Sequence, residues 1–549
     1  MEQIPAPYRG PVPTEREACK EERGKSPSCD SGDPPPLRCD AEAERSTEGE
    51  QGGSSQQNRK DETNKELLSF RGLMRGDEPH HGLSIAADHR RNGYVRRGDR
   101  GPWIRFESPK ARALVAAAIY ENTSVLPRQP DVQEVMDALK MAVLLAKKTH
   151  DMWLRVAALP AGGIELYVGD PEDNRIRVTP GRVELVDGAT SETNFYETQA
   201  TAPMVLPAEE GDLKLLHRYL NLEPIDRGLL IAWISYVLAH PKRHGTAFPI
   251  LVLGGEHGAG KTFLCYIIQY LVDPSLVGVQ SFPRTERDFA VTTQSSSAVF
   301  YDNLRSITRD ASDMLCRAAY GGEFVIRKLY TDGDTVALRV HGAIVLNSIH
   351  TLTLIDQPDL TDRCLQLNLL PIDENNRRSE RAMKQEFMRD LPVIFRGLLD
   401  LVANALVHMP TVEVIHPERM IDFVRWMAAM ERSMGAPNEP YQSAYSESMR
   451  RGMRGSLEEL PLASAVLDLV DGVHRSEWSG TPADLLKALS GHAGRRAANS
   501  RDWPLNASAM SKRLKPLVPA LRRQSIDVRF GRGRERHITI MRTEGPDDE

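Results

Sequence analysis

No run of about eighteen consecutive apolar residues occurs in this chain, and it does not open on a charged-then-apolar leader, so neither a membrane span nor a secretory signal is expected. That reading makes the protein cytoplasmic. An excess of positive charge is lacking too: Lys+Arg 70 against Asp+Glu 76 gives a formal net charge of -6. Any nucleic-acid surface must therefore be local. Cysteine is scarce. Cys19, Cys29 and Cys39 are ten residues apart in a polar stretch and match no zinc pattern, while Cys265, Cys316 and Cys364 fall in apolar segments without a near cysteine partner. A disulfide framework and a structural zinc are not expected, and the thiols are read as reduced. Residues 1–65 hold only Met1, Ile4, Tyr8, Val12 and Leu37 as large apolar side chains. Such a segment cannot bury enough surface to offset its chain entropy and is expected to be a disordered tail.

What remains is too long for one core. Residues 66–205 read as an α+β module without visible chemistry. Helical periodicity marks Ala111–Tyr120 and Val132–Lys147, and short strands at 153–156, 164–168, 175–178 and 182–186 are set off by Gly162-Gly163, Asp170-Pro171 and Pro180-Gly181. Residues 206–375 alternate strand and helix, opening with helical stretches at Leu213–Leu220 and Leu229–Leu238. Residues 376–474 are helical, residues 475–542 form a compact basic unit, and residues 543–549 are an acidic tail.

Chemistry enters at Gly255-Glu256-His257-Gly258-Ala259-Gly260-Lys261-Thr262, which fits the phosphate-loop spacing G-x-x-x-x-G-K-[ST]. The apolar run Phe248–Leu253 precedes it as a buried strand, and Phe263–Ile268 follows as a helix. Backbone N–H groups of a glycine turn at a helix N-terminus suit an anionic triphosphate. Lys261 is placed for the β- and γ-phosphates and Thr262 for Mg²⁺, so ATP and Mg²⁺ are the expected ligands. About forty residues on, Ala298-Val299-Phe300-Tyr301-Asp302 is an apolar strand ending in a carboxylate that can hold Mg²⁺ through water. Asn303 follows, where hydrolytic motors of this kind carry Glu; an amide can orient a water but cannot take its proton. A third strand, Gly342–Leu346, ends in Asn347, placed for the γ-phosphate and the attacking water. Arg363 stands just before a further apolar strand, with Asp359 and Asp362 as alternative ion-pair partners.

The order of phosphate loop, Val299–Asp302 strand, Asn347 strand end and Arg363 resembles that of superfamily-3 helicases, which are related to AAA+ ATPases, and in particular the phage- and plasmid-encoded helicase domains that accompany primases. The resemblance spans residues 210–540. It implies an α/β P-loop NTPase core, a hexameric ring, and an Arg363 that reaches the neighbouring subunit's nucleotide. It also implies a DNA-gripping hairpin before the Asn347 strand. Phe324–Tyr330 and Thr335–Val340, joined through Asp332-Gly333, occupy that interval and put Arg327 and Lys328 forward for phosphate contact. No primase motif is visible in residues 1–200, so no polymerase activity is carried over.

The C-terminal unit fits DNA from composition alone. Between Leu505 and Ile540 there are nine Lys or Arg against two acids. Pro482–Leu489 and Ser508–Arg523 read as helices, the second bent or broken by Pro516 and Pro519. Two basic strands around Gly531-Arg532-Gly533 follow. This is a winged-helix pattern, with Lys512, Arg513, Arg529, Arg532 and Arg534 as candidate DNA contacts. The expectation is an ATP-dependent DNA helicase or translocase of a phage or mobile element, acting in replication on single-stranded, forked or origin DNA. The alternative is a slow-hydrolysing, ATP-switched DNA-binding regulator or loader.

Overall fold

The computed structural model describes residues 82–543 except 244, 305–306, 328–333, 349–357, 374, 376–377, 416, 437–439, 473–476, 495–499, 501–502 and 532–536. The tails at 1–65 and 544–549 lie outside the described residues. The N-terminal module comprises β1 (Leu83–Ala87), β2 (Gly93–Arg97), β3 (Trp103–Arg105), α1 (Pro109–Thr123), α2 (Gln129–Leu145), β4 (Met152–Trp153), β5 (Val156–Ala158), β6 (Ile164–Tyr167), β7 (Asn174–Thr179), β8 (Arg182–Asp187) and β9 (Asn194–Glu197). One sheet runs β1-β2-β3-β9-β4 and a second is the antiparallel meander β5-β6-β7-β8. Ser108 caps α1 by accepting from the Lys110 N–H, with Pro109 in the first turn where its missing N–H costs nothing. Val115 and Ile119 of α1 and Val135 and Leu139 of α2 then bury against Leu83, Val95 and Ile104. Trp103, Trp153 and Trp233 are all buried, as core anchors should be.

The second part begins with a 3-10 helix, Leu213–Tyr219, capped by Asp212, within the helical stretch expected over Leu213–Leu220. It continues through α3 (Pro224–Ala239), β10 (Ile250–Gly254), α4 (Lys261–Val272), β11 (Gln280–Ser281), α5 (Glu286–Ser295), β12 (Ala298–Leu304), α6 (Arg309–Tyr320), β13 (Gly322–Arg327), β14 (Thr335–Val340), β15 (Ala343–Ser348), α7 (Pro358–Thr361) and β16 (Cys364–Asn368). A parallel sheet runs β11-β12-β15-β10-β16. β10 and the first four residues of β12 and of β15 are unbroken apolar runs because both faces of the sheet are covered, and the polar residues Asp302 and Asn347 come at the strand ends. Leu251 and Leu253 of β10 and Val345 of β15 point into one apolar cluster, which holds α3 and α4. Ile250, Val252, Ile344 and Leu346 point into the other, which holds α6. β13 and β14 pair antiparallel beside this sheet.

α8 (Glu380–His408), α9 (Ile421–Met434), α10 (Pro440–Glu459) and α11 (Pro461–Gly472) follow. α8 is long and apolar enough to cross a membrane, but its Phe387, Leu391, Ile394, Phe395 and Leu398 are spent on the protein's own core. The C-terminal unit is β17 (Glu477–Gly480), α12 (Pro482–His492), α13 (Ala507–Leu514), α14 (Val518–Arg523), β18 (Ile526–Gly531) and β19 (His537–Arg542), with strand order β17-β19-β18. The helix expected over Ser508–Arg523 is broken into α13, a 3-10 turn at Lys515–Leu517, and α14, as Pro516 and Pro519 require.

A buried ion pair ties the N-terminal module to the central sheet. Arg155, 1% exposed, donates to Asp273 Oδ1 at 2.9 Å and to the carbonyls of Tyr167, Ala202 and Pro274.

Candidate nucleotide and DNA sites

β10 delivers the chain to its loop fully buried, and the loop bends where only glycine is comfortable: φ is 138° at Gly255, 85° at Gly258 and 90° at Gly260. Gly260 is the cap from which α4 starts at Lys261, so the first-turn N–H groups of α4 face the loop without intrahelical partners. Those groups and the helix dipole make the loop a place where an anionic chain can bind. Lys261 is 9% exposed, and its Nζ donates to the carbonyl oxygens of Gly255 and Glu256, both at 2.8 Å. Burial pushes its ammonium below the ordinary value, an effect the Asp302 carboxylate partly offsets.

Asp302 of β12 and Asn347 of β15 stand at the C-terminal ends of neighbouring strands, on the same edge of the sheet as the loop. Leu253, two residues before Gly255, is in register with Asn347. Asp302 and Asn347 line a cleft of about 610 Å³ together with His257–Thr262. Asn347 is 2% exposed and its Oδ1 has no hydrogen-bond partner, an unpaired acceptor held toward that cleft. Asn303 continues β12 at a bulge-like shift in the pairing of Tyr301 and Leu304; its side chain lies outside the described residues.

Sequence motifs gave no sign of the cleft's other wall. Asn221 ties the loop from behind, its Nδ2 donating to the carbonyls of Ala259 at 3.2 Å and Leu370 at 2.6 Å. Tyr219, Ile372, Met383 and Arg378 close the side away from the sheet. Arg378 pairs with both carboxylate oxygens of Glu386, at 2.6 and 2.7 Å. None of these belongs to the phosphate-loop signature, because they come from the 3-10 turn and from the segment after β16.

Arg363 is not in this cleft. It precedes β16 at the N-terminal end of the sheet, where its carbonyl accepts from Ile250 N, while the loop leaves β10 at the other end. Five residues of strand put about 16 Å between the two ends, so this guanidinium cannot serve its own loop. It is 9% exposed, lies 5.2 Å over the Tyr320 ring, donates to the Asp359 carbonyl and stands 3.7 Å from Asp359 Oδ1. Of the two acids the sequence offered, Asp359 is its partner. Asp362 instead accepts from Arg523 and lies 3.8 Å from Arg419. Burial raises the Asp362 carboxyl, and Arg523, Arg419 and Arg363 oppose that.

Arg327 is exposed at the end of β13, next to an exposed Val325; Lys328 lies outside the described residues. Lys512 and Arg513 are exposed on the last turn of α13. Arg529 is held by Asp527 at 2.7 Å, and Arg532 and Arg534 lie outside the described residues. Among the described residues no three His, Cys, Asp or Glu side chains gather into a metal site. A Mg²⁺ held by one hydroxyl, one carboxylate and phosphate oxygens needs no such cage. Cys265, Cys316 and Cys364 are free thiols.

Residues 213–449 match the family model described as actinomycete integrative conjugative element (AICE) replication protein, and residues 462–547 match that of the AICE RepA C-terminal domain. Two solved structures of the apo C-terminal region of NrS-1 are similar at 14% and 12% identity. Each covers 84% of this chain, with 97% and 96% of their own lengths matched and a TM-score of 0.38. No curated protein matches the chain.

Proposed function

Taking the chain as a replication protein of a mobile element, as its two family matches indicate, we propose that it is an ATP-driven DNA translocase or helicase working as a ring of like subunits. The observation that carries this reading is the placement of four groups on one parallel sheet. The loop Gly255–Thr262, Asp302 and Asn347 share the C-terminal edge, and Arg363 sits on the opposite edge. That division suits a site completed by a second copy. Gly255–Thr262 would hold the triphosphate, with Lys261 leaving its loop carbonyls for phosphate oxygens. Thr262 and Asp302 would hold Mg²⁺, whose charge when bound offsets that of the phosphates. Asn347 would orient the attacking water, and Arg363 of a neighbour would bring positive charge to the transition state. Exposed Arg327 on β13 and Lys512 and Arg513 on α13 support polynucleotide contact.

The experiment is phosphate release with no DNA, single-stranded DNA and forked DNA, beside strand separation of the fork. Stimulation by DNA together with unwinding, both abolished by Lys261→Ala, is the expected result. Turnover indifferent to every DNA, with no unwinding, rejects the reading.

A second reading has its own observation: Asn303 stands where a general base is needed, and Arg363 is buried against Tyr320 rather than presented. Both fit a slow, ATP-switched DNA-binding regulator or loader. A near-inert wild type that gains turnover strongly in Asn303→Glu selects it.

A further inference from the structure

Arg363 is enclosed by a ladder of alternating charge that ends in the C-terminal unit. Its Nη1 donates to the Asp359 carbonyl, and Arg419 donates to Asp359 Oδ1 at 2.9 Å. Tyr320, under the Arg363 guanidinium, donates its hydroxyl to the Arg419 carbonyl at 3.3 Å. Arg419 also approaches Asp362, the residue next to Arg363, and Asp362 accepts from Arg523 at the end of α14, 161 residues along the chain. Two carboxylates are thus shared among three guanidinium groups, and Arg363 Nε has no partner.

The packing around the ladder is that of a joint. α10 spans two apolar clusters: Tyr445 and Met449 belong to that of the central sheet, Met453 and Leu457 to that of the winged unit. Gly452 lies where the helix passes from one to the other and Gly455 follows a turn later, and glycine inside a helix weakens it. A cleft of about 770 Å³ opens between Ser446 and Arg450 of α10 and the Arg522–Ser525 segment. Two polar contacts cross beside it, Arg523 to Asp362 and Gln524 Nε2 to the Arg450 carbonyl at 2.9 Å. Arg523 is 42% exposed on the most basic stretch of the protein, so a phosphate can compete for it.

We infer that Arg523 and Asp362 are positioning residues that latch Arg363 in a resting place, and that a polynucleotide phosphate taken up by the winged unit draws Arg523 away and frees Arg363 for the neighbouring subunit. The inference rests on the proposed ATPase function for its consequence, but not for the latch itself. Once Arg523 leaves, Asp362 keeps Arg419 and the adjacent Arg363 as its neighbouring cations. The turn of residues 359–363 then loses its Arg523 tie to the winged unit and can move as a piece, carrying Arg363 with it.

The test uses the full-length protein with saturating forked DNA, and two readouts. The first is the ratio of DNA-stimulated to DNA-free phosphate release. Arg523→Ala and Asp362→Asn are expected to raise the DNA-free rate about threefold or more and bring the ratio close to one, while Arg523→Lys restores it. The second needs no turnover: amide exchange of residues 359–364 without nucleotide, expected to quicken when DNA is added to wild type and to be already fast in Arg523→Ala. DNA-stimulated release that neither substitution alters, with exchange unmoved, overturns the latch. Exchange that responds in a protein showing no hydrolysis keeps the latch and removes the ATPase reading. Silence in both readouts overturns the two together.

Discussion

Lys261 is bonded to Gly255, the first residue of its own loop, through Nζ and the glycine carbonyl at 2.8 Å. The loop carbonyls thus accept the hydrogen bonds that phosphate oxygens would take, and the ammonium is already partly desolvated. Replacing it should cost the fold little and the ligand much. Lys261→Ala is expected to keep the nucleotide-free Tm within about 3 °C of wild type. The stabilisation by ATP and Mg²⁺, about 2.7 kcal/mol at a hundredfold excess over Kd, should be lost. Thermal melts with and without nucleotide check this.

Asn347 offers a separation of stability from turnover. Its buried Oδ1 makes no hydrogen bond, so Asn347→Ala breaks no bond of that acceptor and should leave Tm nearly unchanged. If the amide orders the attacking water, turnover falls by about a hundredfold with ATP affinity retained. Single-turnover hydrolysis beside equilibrium binding measures both, and an equal loss in the two would assign Asn347 to binding instead.

The buried pair of Arg155 and Asp273 carries a stability prediction. Asp273 also accepts from the N–H groups of Ser297 and Ala298, so it holds the start of β12 in place. Arg155→Met leaves this carboxylate buried without its cation, which costs about 3–5 kcal/mol. Denaturant unfolding should show the loss, and Asp273→Asn in the same background should recover part of it.

His240 carries a pH prediction. Its ring stacks on Tyr236 at 3.9 Å, and a neutral imidazole donates from Nδ1 to the Tyr236 carbonyl at 2.8 Å. Burial pulls its pKa down to about 4 from an ordinary 6.5. The folded state therefore binds its proton later than the unfolded chain. The stability it holds above pH 6.5 declines as pH falls from about 6.5 to about 4, by about 3 kcal/mol. His240→Phe should flatten that part of the stability profile, measured by urea midpoints between pH 7.5 and 4.5.

Local rules made the central sheet readable and left its surroundings dark. Strands buried on both faces are unbroken apolar runs, so β10, β12 and β15 stand out beside a loop whose glycines the backbone demands. Pro516 and Pro519 announced the break between α13 and α14. The strands Leu83–Ala87, Gly93–Arg97 and Trp103–Arg105 did not announce themselves, being three to five residues long and threaded with Gly and Arg. α10 falls inside the region 376–474 expected to be helical, but its bounds left little mark because its core positions, Tyr445, Met449, Met453 and Leu457, are interspersed with arginines and glycines. In the site, Asn221 and Arg378 are joined to the phosphate loop only by folding, as Arg155 is to Asp273 and Arg523 to Asp362. Contacts over that separation leave no period or spacing in the sequence.

The claim on which the rest depends is that each nucleotide lies between two copies, Lys261 coming from one and Arg363 from the other. Mixing two inactive proteins measures it directly. Lys261→Ala and Arg363→Ala subunits, each without DNA-stimulated turnover alone, form some interfaces in which both residues are intact. A mixture should recover phosphate release, highest near equal proportions. A mixture as inert as its parts, from variants shown by light scattering to assemble together, or an Arg363→Ala protein that turns over normally by itself, would contradict the account.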